Sequence, residues 1–483
     1  MKKTRILCKT GMTVGAFAIL LLCALGVMPV FSIAILPYAG VESFGIYPAG
    51  GASCLQVEQL CVTYDLQDFP EKEFESRESF LAYSASVTSE YVFYNPTNQS
   101  VMQQMLVPCG ALPIGAGHLY SDQAGLVNPQ AYSVTADGQK IDYELRYSYV
   151  YHNQRVCDGA YGLLYDAWGK TGPALSDDLL EHQFLSPDLP VTVYTYTYDG
   201  AKQQGAEELM VYSEPIRPDP SSCWVLAEGI SYASRSEEGY LMAARVSTDE
   251  VFRMYVLGAS MDAVEWKSDA GISMTLTDTS SITLYDLAMQ HYNAQSGVSR
   301  TDWYNAVLTM LQTETFEGIV DPPETDMTEE GIDLTQYLQC WLTYELTLAP
   351  GGRVTNAVSA TVIPEISATY TPEVYCYAYD TQSFSCWDRM GQVTVTVNTL
   401  LEITDATAPS ITSPALKQGY TLTEDDYEYA CFSFALSSTK TPGNVINASV
   451  IWGAVAIFAA VIAAPALIFG VLVLLFKNKK CEK

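Results

Sequence analysis

Residues 372–387 read PEVYCYAYDTQSFSCW. Tyr375, Tyr377 and Tyr379 alternate with Cys376, Ala378 and Asp380. In a strand, that period puts the rings on one face and the small residues on the other. Three readings compete: an aromatic platform for a sugar, a cysteine pair for a metal or a disulfide, and the inside of a β-sheet. The alternation favours the sheet interior, where small Cys and Ala fit under a packed layer and tyrosines cover the opposite face. A disulfide between Cys376 and Cys386, strand to loop, is the second reading. Trp387 then anchors the turn into GQVTVTVNTLLEI, where Val393, Val395 and Val397 alternate again.

The same period recurs on both sides. LAYSASVTSEYVFYNP, from Leu81, places Val87, Tyr91 and Phe93 on one side and Thr88, Glu90 and Val92 on the other. NPTNQS has turn chemistry, so this strand and SVMQQMLVP are expected to form a hairpin ended by Pro108. AYSVTADGQKIDYELRYSYV carries Asp137-Gly138 between two alternating runs, the sequence of a tight hairpin turn. Its second strand is expected to put Ile141, Tyr143, Leu145, Tyr147 and Tyr149 on one face. VTVYTYTYDG and EVFRMYVLG extend the pattern, and YLQCWLTYELTLAPGGRVTNAVSATVIPEI reads as strand, turn, strand. Helical spacing appears in ITLYDLAMQHYNAQ and in SRTDWYNAVLTMLQT, where Trp303, Ala306, Val307 and Met310 share a stripe and Thr301 is the expected N-cap. A further helical turn or two is expected at SDDLLEHQF. The fold class is therefore mainly β: extracellular β-sandwich-like domains with a small helical insertion.

The 483-residue chain has an uncharged apolar run near each end. No charge lies between Lys9 and Glu42, or from Asn444 to Phe476, and each run exceeds the ~20 residues that span a bilayer as a helix. Lys2, Lys3, Arg5 and Lys9 precede the first run, and Lys477, Lys479, Lys480 and Lys483 follow the second. Basic flanks face the cytoplasm, so both termini are expected inside and the main domain outside the cell membrane. A cleaved signal peptide is the rival reading of the first run. The boundaries drawn are a cytoplasmic tail at 1–10, a span at 11–37 and a linker at 38–80. A β-sandwich-like domain at 81–230, a mixed helical segment at 231–335 and a second β-rich domain at 336–440 follow. The chain ends with a span at 445–476 and a tail at 477–483.

There are 25 Lys+Arg against 55 Asp+Glu. Setting aside the eight flanking bases and Glu482 leaves 17 against 54, a balance of −37 on the outer part. That charge excludes nucleic acid as a partner and favours cations or basic surfaces. Twelve cysteines occur, nine of them outside the spans: Cys54, Cys61, Cys109, Cys157, Cys223, Cys340, Cys376, Cys386 and Cys431. Their scatter, with only Cys54/Cys61 and Cys376/Cys386 close in sequence, is unlike a dense disulfide scaffold or a C-x₂-C zinc site. His118, His152, His182 and His291 are far apart in sequence, and no nucleophile-elbow, phosphate-loop or dinucleotide motif occurs. His152 and Cys157 are too weak a pattern for a Cys/His nucleophile. Asp177-Asp178 and Asp425-Asp426 are candidate loop sites for calcium, with solvated carboxylates as the simpler reading. No catalytic or cofactor-binding residue is assigned.

From Tyr375 onward, YCYAYDTQSFSCWDRMGQVTVTVNTLLEI resembles a pattern in predicted membrane-anchored surface proteins of clostridia and related bacteria. Its elements here are Tyr375, Tyr377 and Tyr379, then Trp387, Gly391 and Val393, Val395 and Val397. WLTYELTLAPGGRVTNAVSATVIPEI and EYVFYNPTNQSVMQQMLVP are similar to other parts of the pattern. The likeness covers about half of the outer region and implies architecture but no reaction. The function expected is non-enzymatic: binding or adhesion at the cell surface, with the bilayer and an extracellular ligand as partners. An accessory or sensory subunit of a membrane transport complex is the first alternative. Small residues in the second span (Gly453, Ala454, Ala459, Ala460, Ala463 and Ala464) would let another membrane helix approach. An extracellular hydrolase with dispersed carboxylates is the second.

Overall fold

The computed structural model describes residues 45–444, apart from 68, 70–83, 110–131, 150–174, 198–207, 248–250, 269–270, 272, 295, 321–326, 329–330, 333, 335–336, 363, 368–369, 407–411 and 424–430. The two apolar runs expected to span the bilayer, 11–37 and 445–476, lie outside the described residues. Among those described, no helix is long and apolar enough to cross a membrane.

The described chain is built mainly of strands. Strands β1 (Tyr47–Pro48), β2 (Ser53–Leu66), β3 (Ser86–Tyr94) and β4 (Val101–Cys109) come first. They are followed by β5 (Ser133–Ala136), β6 (Gln139–Lys140), β7 (Glu144–Tyr149), β8 (Pro190–Thr197) and β9 (Glu208–Ser213). Next come β10 (Cys223–Ala227), β11 (Ile230–Arg235), β12 (Tyr240–Ser247), β13 (Val251–Gly258), β14 (Trp266–Ser268) and β15 (Thr275–Thr283). Helices α1 (Leu284–Met289) and α2 (Arg300–Thr313) interrupt the strands. Short strands β16 (Thr315–Phe316), β17 (Ile319–Val320), β18 (Met327–Thr328) and β19 (Gly331–Ile332) lead to β20 (Leu338–Leu348) and β21 (Arg353–Thr361). The last group is β22 (Glu365–Ser367), β23 (Tyr370–Thr371), β24 (Val374–Asp380), β25 (Trp387–Thr399) and β26 (Glu402–Ala406). Helix α3 (Ser413–Gln418), β27 (Tyr420–Thr421), β28 (Cys431–Ser437) and β29 (Gly443–Asn444) close the described chain.

A seven-stranded sheet, in the order β27-β25-β2-β3-β21-β5-β6, forms one side of the larger sandwich. Two four-stranded sheets, β1-β4-β20-β7 and β22-β24-β28-β26, cover its buried face. Tyr344 of β20 reaches across to donate to Asn356 of β21 at 2.7 Å. From the other covering sheet, Phe434 packs edge-on against Tyr64 with ring centroids 5.0 Å apart. A second sandwich pairs β15-β8-β13-β10-β17-β16 with β11-β12-β9-β14. Its core includes Tyr196, Val225, Met242, Phe252, Met254 and Trp266. The far face of its larger sheet (Val191, Val193, Trp224, Leu226, Tyr255 and Leu257) joins the main core together with α2.

The sheets run across the boundaries drawn from the sequence. β3 pairs with β21, and β4 with β20, so strands from 81–230 and 336–440 share both sheets. The 38–80 linker contains β2, which lies between β3 and β25 in the seven-stranded sheet. Its alternation is broken in the middle. Leu55 and Val57 are buried, then Leu60, Val62, Tyr64 and Leu66 on the opposite parity. A β-bulge at Glu58 and Gln59 makes that switch, and an interrupted period is hard to read as one strand.

The hairpins differ too. β3 and β4 do not pair with each other; the turn at 95–100 carries the chain from the seven-stranded sheet to the one facing it. The turn at 349–352 makes the return crossing from β20 to β21 beside it. Asn95 locks the two corners. Its Nδ2 donates to the carbonyls of Gln99, Leu348 and Ala349 at 2.7, 3.1 and 3.1 Å, and its Oδ1 accepts from the Thr97 amide and hydroxyl. Asp137-Gly138 does form the tight turn between β5 and β6, with φ of 49° and 75°. The chain then crosses sheets again, and β7 pairs with β20. Pro108 lies inside β4 rather than ending it: among the described residues β1 pairs only with Met105 and Leu106, and no strand pairs with β4 on that side at the proline.

The N-cap of α2 is Ser299, whose side chain accepts from the Asp302 amide; the expected cap, Thr301, is inside the helix. Trp303, Ala306, Val307 and Met310 are buried as expected, but so are Asp302, Tyr304, Asn305, Leu308 and Leu311, so the helix is enclosed well beyond the one stripe. SDDLLEHQF is not helical. It follows turns and a bridge between His182 and Leu185, while Asn305 of α2 accepts from the Leu180 amide at 2.8 Å. That tertiary bond holds the backbone in a form that its local sequence does not specify.

Candidate functional site

The residues singled out in 372–387 lie in the interior. Tyr375, Tyr377 and Tyr379 sit on β24 in the main core, with Tyr379 1% exposed. The Tyr379 and Tyr91 hydroxyls lie 2.9 Å apart, and burial raises the pKa of Tyr379 well above its ordinary value. Rings so enclosed have no face to offer a sugar. The loop TQSFSC becomes a 3₁₀ turn (Gln382–Cys386), and Trp387 opens β25 with its ring 4.8 Å from that of Phe93. Gly391 faces the β2 bulge: a Cβ there would stand 2.1 Å from the Glu58 carbonyl oxygen. No bridge joins Cys376 to Cys386. Cys376 packs with Val374 and Ala435, whereas Cys386 belongs to a separate cluster with Tyr47, Leu106 and Trp341. Spacing in sequence brought the two cysteines close, but the strand and the turn carry them to different clusters.

The carboxylate pairs considered for calcium lie elsewhere. Asp177 is 95% exposed and is joined to Arg146 at 2.8 Å, so its charge already has a protein partner. Asp425-Asp426 lies outside the described residues, as do His118, His152 and Cys157. Among the described residues, no group of three or more His, Cys, Asp or Glu could hold a metal ion.

A cleft of about 400 Å³ opens where the β5–β6 hairpin meets β20 and the start of β21. Its apolar lining is Ala136, Ile141, Leu346 and Val354, and its polar lining is Asp137, Gln139, Glu345 and Thr347. Its shape follows from the sheet crossing. The hairpin forms the edge of the seven-stranded sheet, and the chain leaves β6 through Ile141 for the facing sheet, so the cleft lies at the corner between the two. Asp137 is fixed by its turn: its amide donates to the Thr355 carbonyl at 2.7 Å, and its Oδ1 accepts from the Thr355 amide at 2.9 Å. Glu345 is exposed on the opposite wall, between buried Tyr344 and Leu346. The cleft thus brings two carboxylates together with the partly buried side chains of Ile141 and Val354. Asp137-Gly138 was visible as a turn, but Glu345 had no signal beyond an outward place in an alternating strand.

A second polar centre is buried. Glu228, in the turn between β10 and β11, accepts from the Arg253 amide, the Arg253 guanidinium and the Tyr255 hydroxyl at 2.9, 3.0 and 2.9 Å. Burial is the largest influence on its carboxyl and lifts the pKa to about 7, against the pull of Arg253 and Tyr255. Such a group can exchange a proton near neutrality. It does not line the cleft. The sequence reading missed it, since a single Glu before Gly229 is ordinary turn chemistry. Arg146 anchors a third centre, with Nε and Nη2 on Asp302 at 2.9–3.1 Å and Nη2 also on the Ser176 carbonyl. Asp302 is buried and also accepts from the Tyr147 amide, so this network fastens α2 to β7.

Fold and cleft together define a mainly β protein with a small helical insertion and an acidic-walled surface cleft. No family model and no curated protein matches the chain. Among solved structures, a candidate nutrient-binding protein of Legionella pneumophila is similar over 66% of this chain and 70% of its own, at 10% identity and a TM-score of 0.15. At that TM-score the likeness carries no argument about fold or ligand.

Proposed function

We propose that this chain is a non-enzymatic binding protein held at the cell membrane by its terminal apolar segments, with the β-rich part outside. The cleft between the β5–β6 hairpin and β20 is its recognition site. The observation that carries the reading is the presence of Asp137 and Glu345 in one cleft with Ile141 and Val354. Two carboxylates beside Ile141 and Val354 suit a small ligand, or a partner side chain, that combines a cationic group with a short hydrocarbon stem. The acidic outer surface supports the same preference by drawing cations toward it.

The test is a calorimetric titration of the full chain in detergent with a lysine- and arginine-rich peptide, repeated with Glu345→Gln. Glu345 is exposed, so its replacement leaves the core untouched. Binding that weakens about tenfold in the variant, roughly 1.4 kcal/mol, supports the assignment. Equal binding by both proteins would remove the cleft from it, and no binding by either would remove the cationic ligand class. The membrane placement has its own check: protease added outside intact cells is expected to cleave within 81–440 and to spare both termini.

A further inference from the structure

Cys109 and Cys340 are 231 residues apart in the chain, yet they are direct partners across the antiparallel pair β4 and β20. Their sulfurs are 3.1 Å apart, and the residues are 1% and 0% exposed. Directly opposed residues in an antiparallel pair have Cα atoms ~4.5–5.5 Å apart, inside the ~4.4–6.8 Å range that a disulfide spans. The sulfurs need to approach by only about 1 Å to reach the bonded ~2.05 Å. No backbone rearrangement stands in the way, because register already aligns the two strands from Val101↔Leu348 to Cys109↔Cys340. Neither spacing nor motif marks this pair, which exists only once β4 and β20 are side by side.

We propose that Cys109 and Cys340 are a disulfide site, and that the bond staples β4 to β20. The oxidant is a small-molecule disulfide such as oxidised glutathione. One cysteine, as thiolate, attacks a glutathione sulfur; a protein–glutathione disulfide forms and one glutathione thiolate leaves. The second cysteine, as thiolate, attacks the protein sulfur of that mixed disulfide, forms the Cys109–Cys340 bond and expels the second glutathione. In total, two thiols give up two protons and two electrons, and one oxidised glutathione becomes two reduced ones. Because both sulfurs are buried, exchange takes place when the β4–β20 pair opens, and the closed sheet then shields the bond from reductant.

The full chain is equilibrated in detergent with glutathione buffers of graded oxidation, with and without enough urea to loosen the fold. It is then quenched in acid, denatured in N-ethylmaleimide and digested without reduction. The expected product is a cross-linked peptide pair containing Cys109 and Cys340, about 2 Da lighter than the two thiol peptides together. It is expected to persist in buffers reducing enough to keep Cys54 and Cys61 as maleimide adducts, and to vanish in Cys340→Ala. Recovery of both residues as maleimide adducts in every buffer, with and without urea, overturns the proposal. So does a bridge from either cysteine to another position.

Discussion

Asn95 joins two chain crossings with one buried side chain, so its effect exceeds that of one ordinary hydrogen bond. Asn95→Ala removes one donor each from the Leu348 and Ala349 carbonyls, which keep the Ser100 hydroxyl and the Gly352 amide, and is expected to lower stability by about 2 kcal/mol, measured by urea unfolding. Tyr377→Ala, in the aromatic layer, is expected to cost about 3–5 kcal/mol without changing cleft affinity. An unchanged urea midpoint together with lost binding would reverse that assignment. Glu228 has a distinct signature. Its folded pKa is raised from 4.5 to about 7, so its protonated form is favoured in the folded state. The stability this provides is complete below pH 4.5 and is lost as pH rises through 7. Relative to Glu228→Gln, the native protein is expected to lose about 3 kcal/mol between pH 4.5 and 8. Parallel stability curves for the two proteins would show that Arg253 and Tyr255 cancel the cost of burial.

At the scale of elements, α2 is held from its first turn. Ser299→Ala removes the side chain that accepts from the Asp302 amide and is expected to cost about 1 kcal/mol, whereas Thr301→Ala is expected to be near neutral. Thermal melts of the two variants separate the cap that forms from the one that local sequence suggested. Asp302→Ala removes the buried partner of Arg146, whose side chain is 12% exposed, and leaves it only exposed Asp177 and the Ser176 carbonyl; the change is expected to cost about 3 kcal/mol. β2 and β25 are a parallel pair that tolerates the β2 bulge only because Gly391 lies opposite it. The obstruction at Gly391 is backbone, which cannot rotate aside, so Gly391→Ala is expected to weaken this pair far more than an exposed strand substitution would.

At the scale of the whole molecule, neither side of the larger sandwich belongs to one stretch of chain. β3 needs β21 on one side and β4 needs β20, each from the other end of the described region. A chain ending at residue 335 would leave β3 with β2 alone and β4 with only the two-residue β1. Such a fragment is expected to lose hydrogen-exchange protection in 53–109. The 190–283 strands, which have their own core, are expected to keep more of theirs. Equal loss in both regions would show that the second sandwich depends on the first.

The sequence by itself determined the strands with unbroken period two: β3, β8, β21 and the Tyr-rich β24. It also determined the Asp137-Gly138 turn and the helix α2, though not how far α2 is buried beyond Trp303, Ala306, Val307 and Met310. These are local properties, set by alternation, positive φ and helical spacing within one short segment. It did not reveal β2, because a bulge reverses the parity of its apolar residues after Val57. Nor did it tell hairpins from sheet crossings at 95–100 and 349–352. A turn sequence states that the chain bends, while the choice of sheet depends on which distant strands satisfy the open edges. Asp137 and Glu345, Glu228 and Arg253, and Cys109 and Cys340 became neighbours only through that pairing, since contact across strands depends on register between segments as much as 231 residues apart.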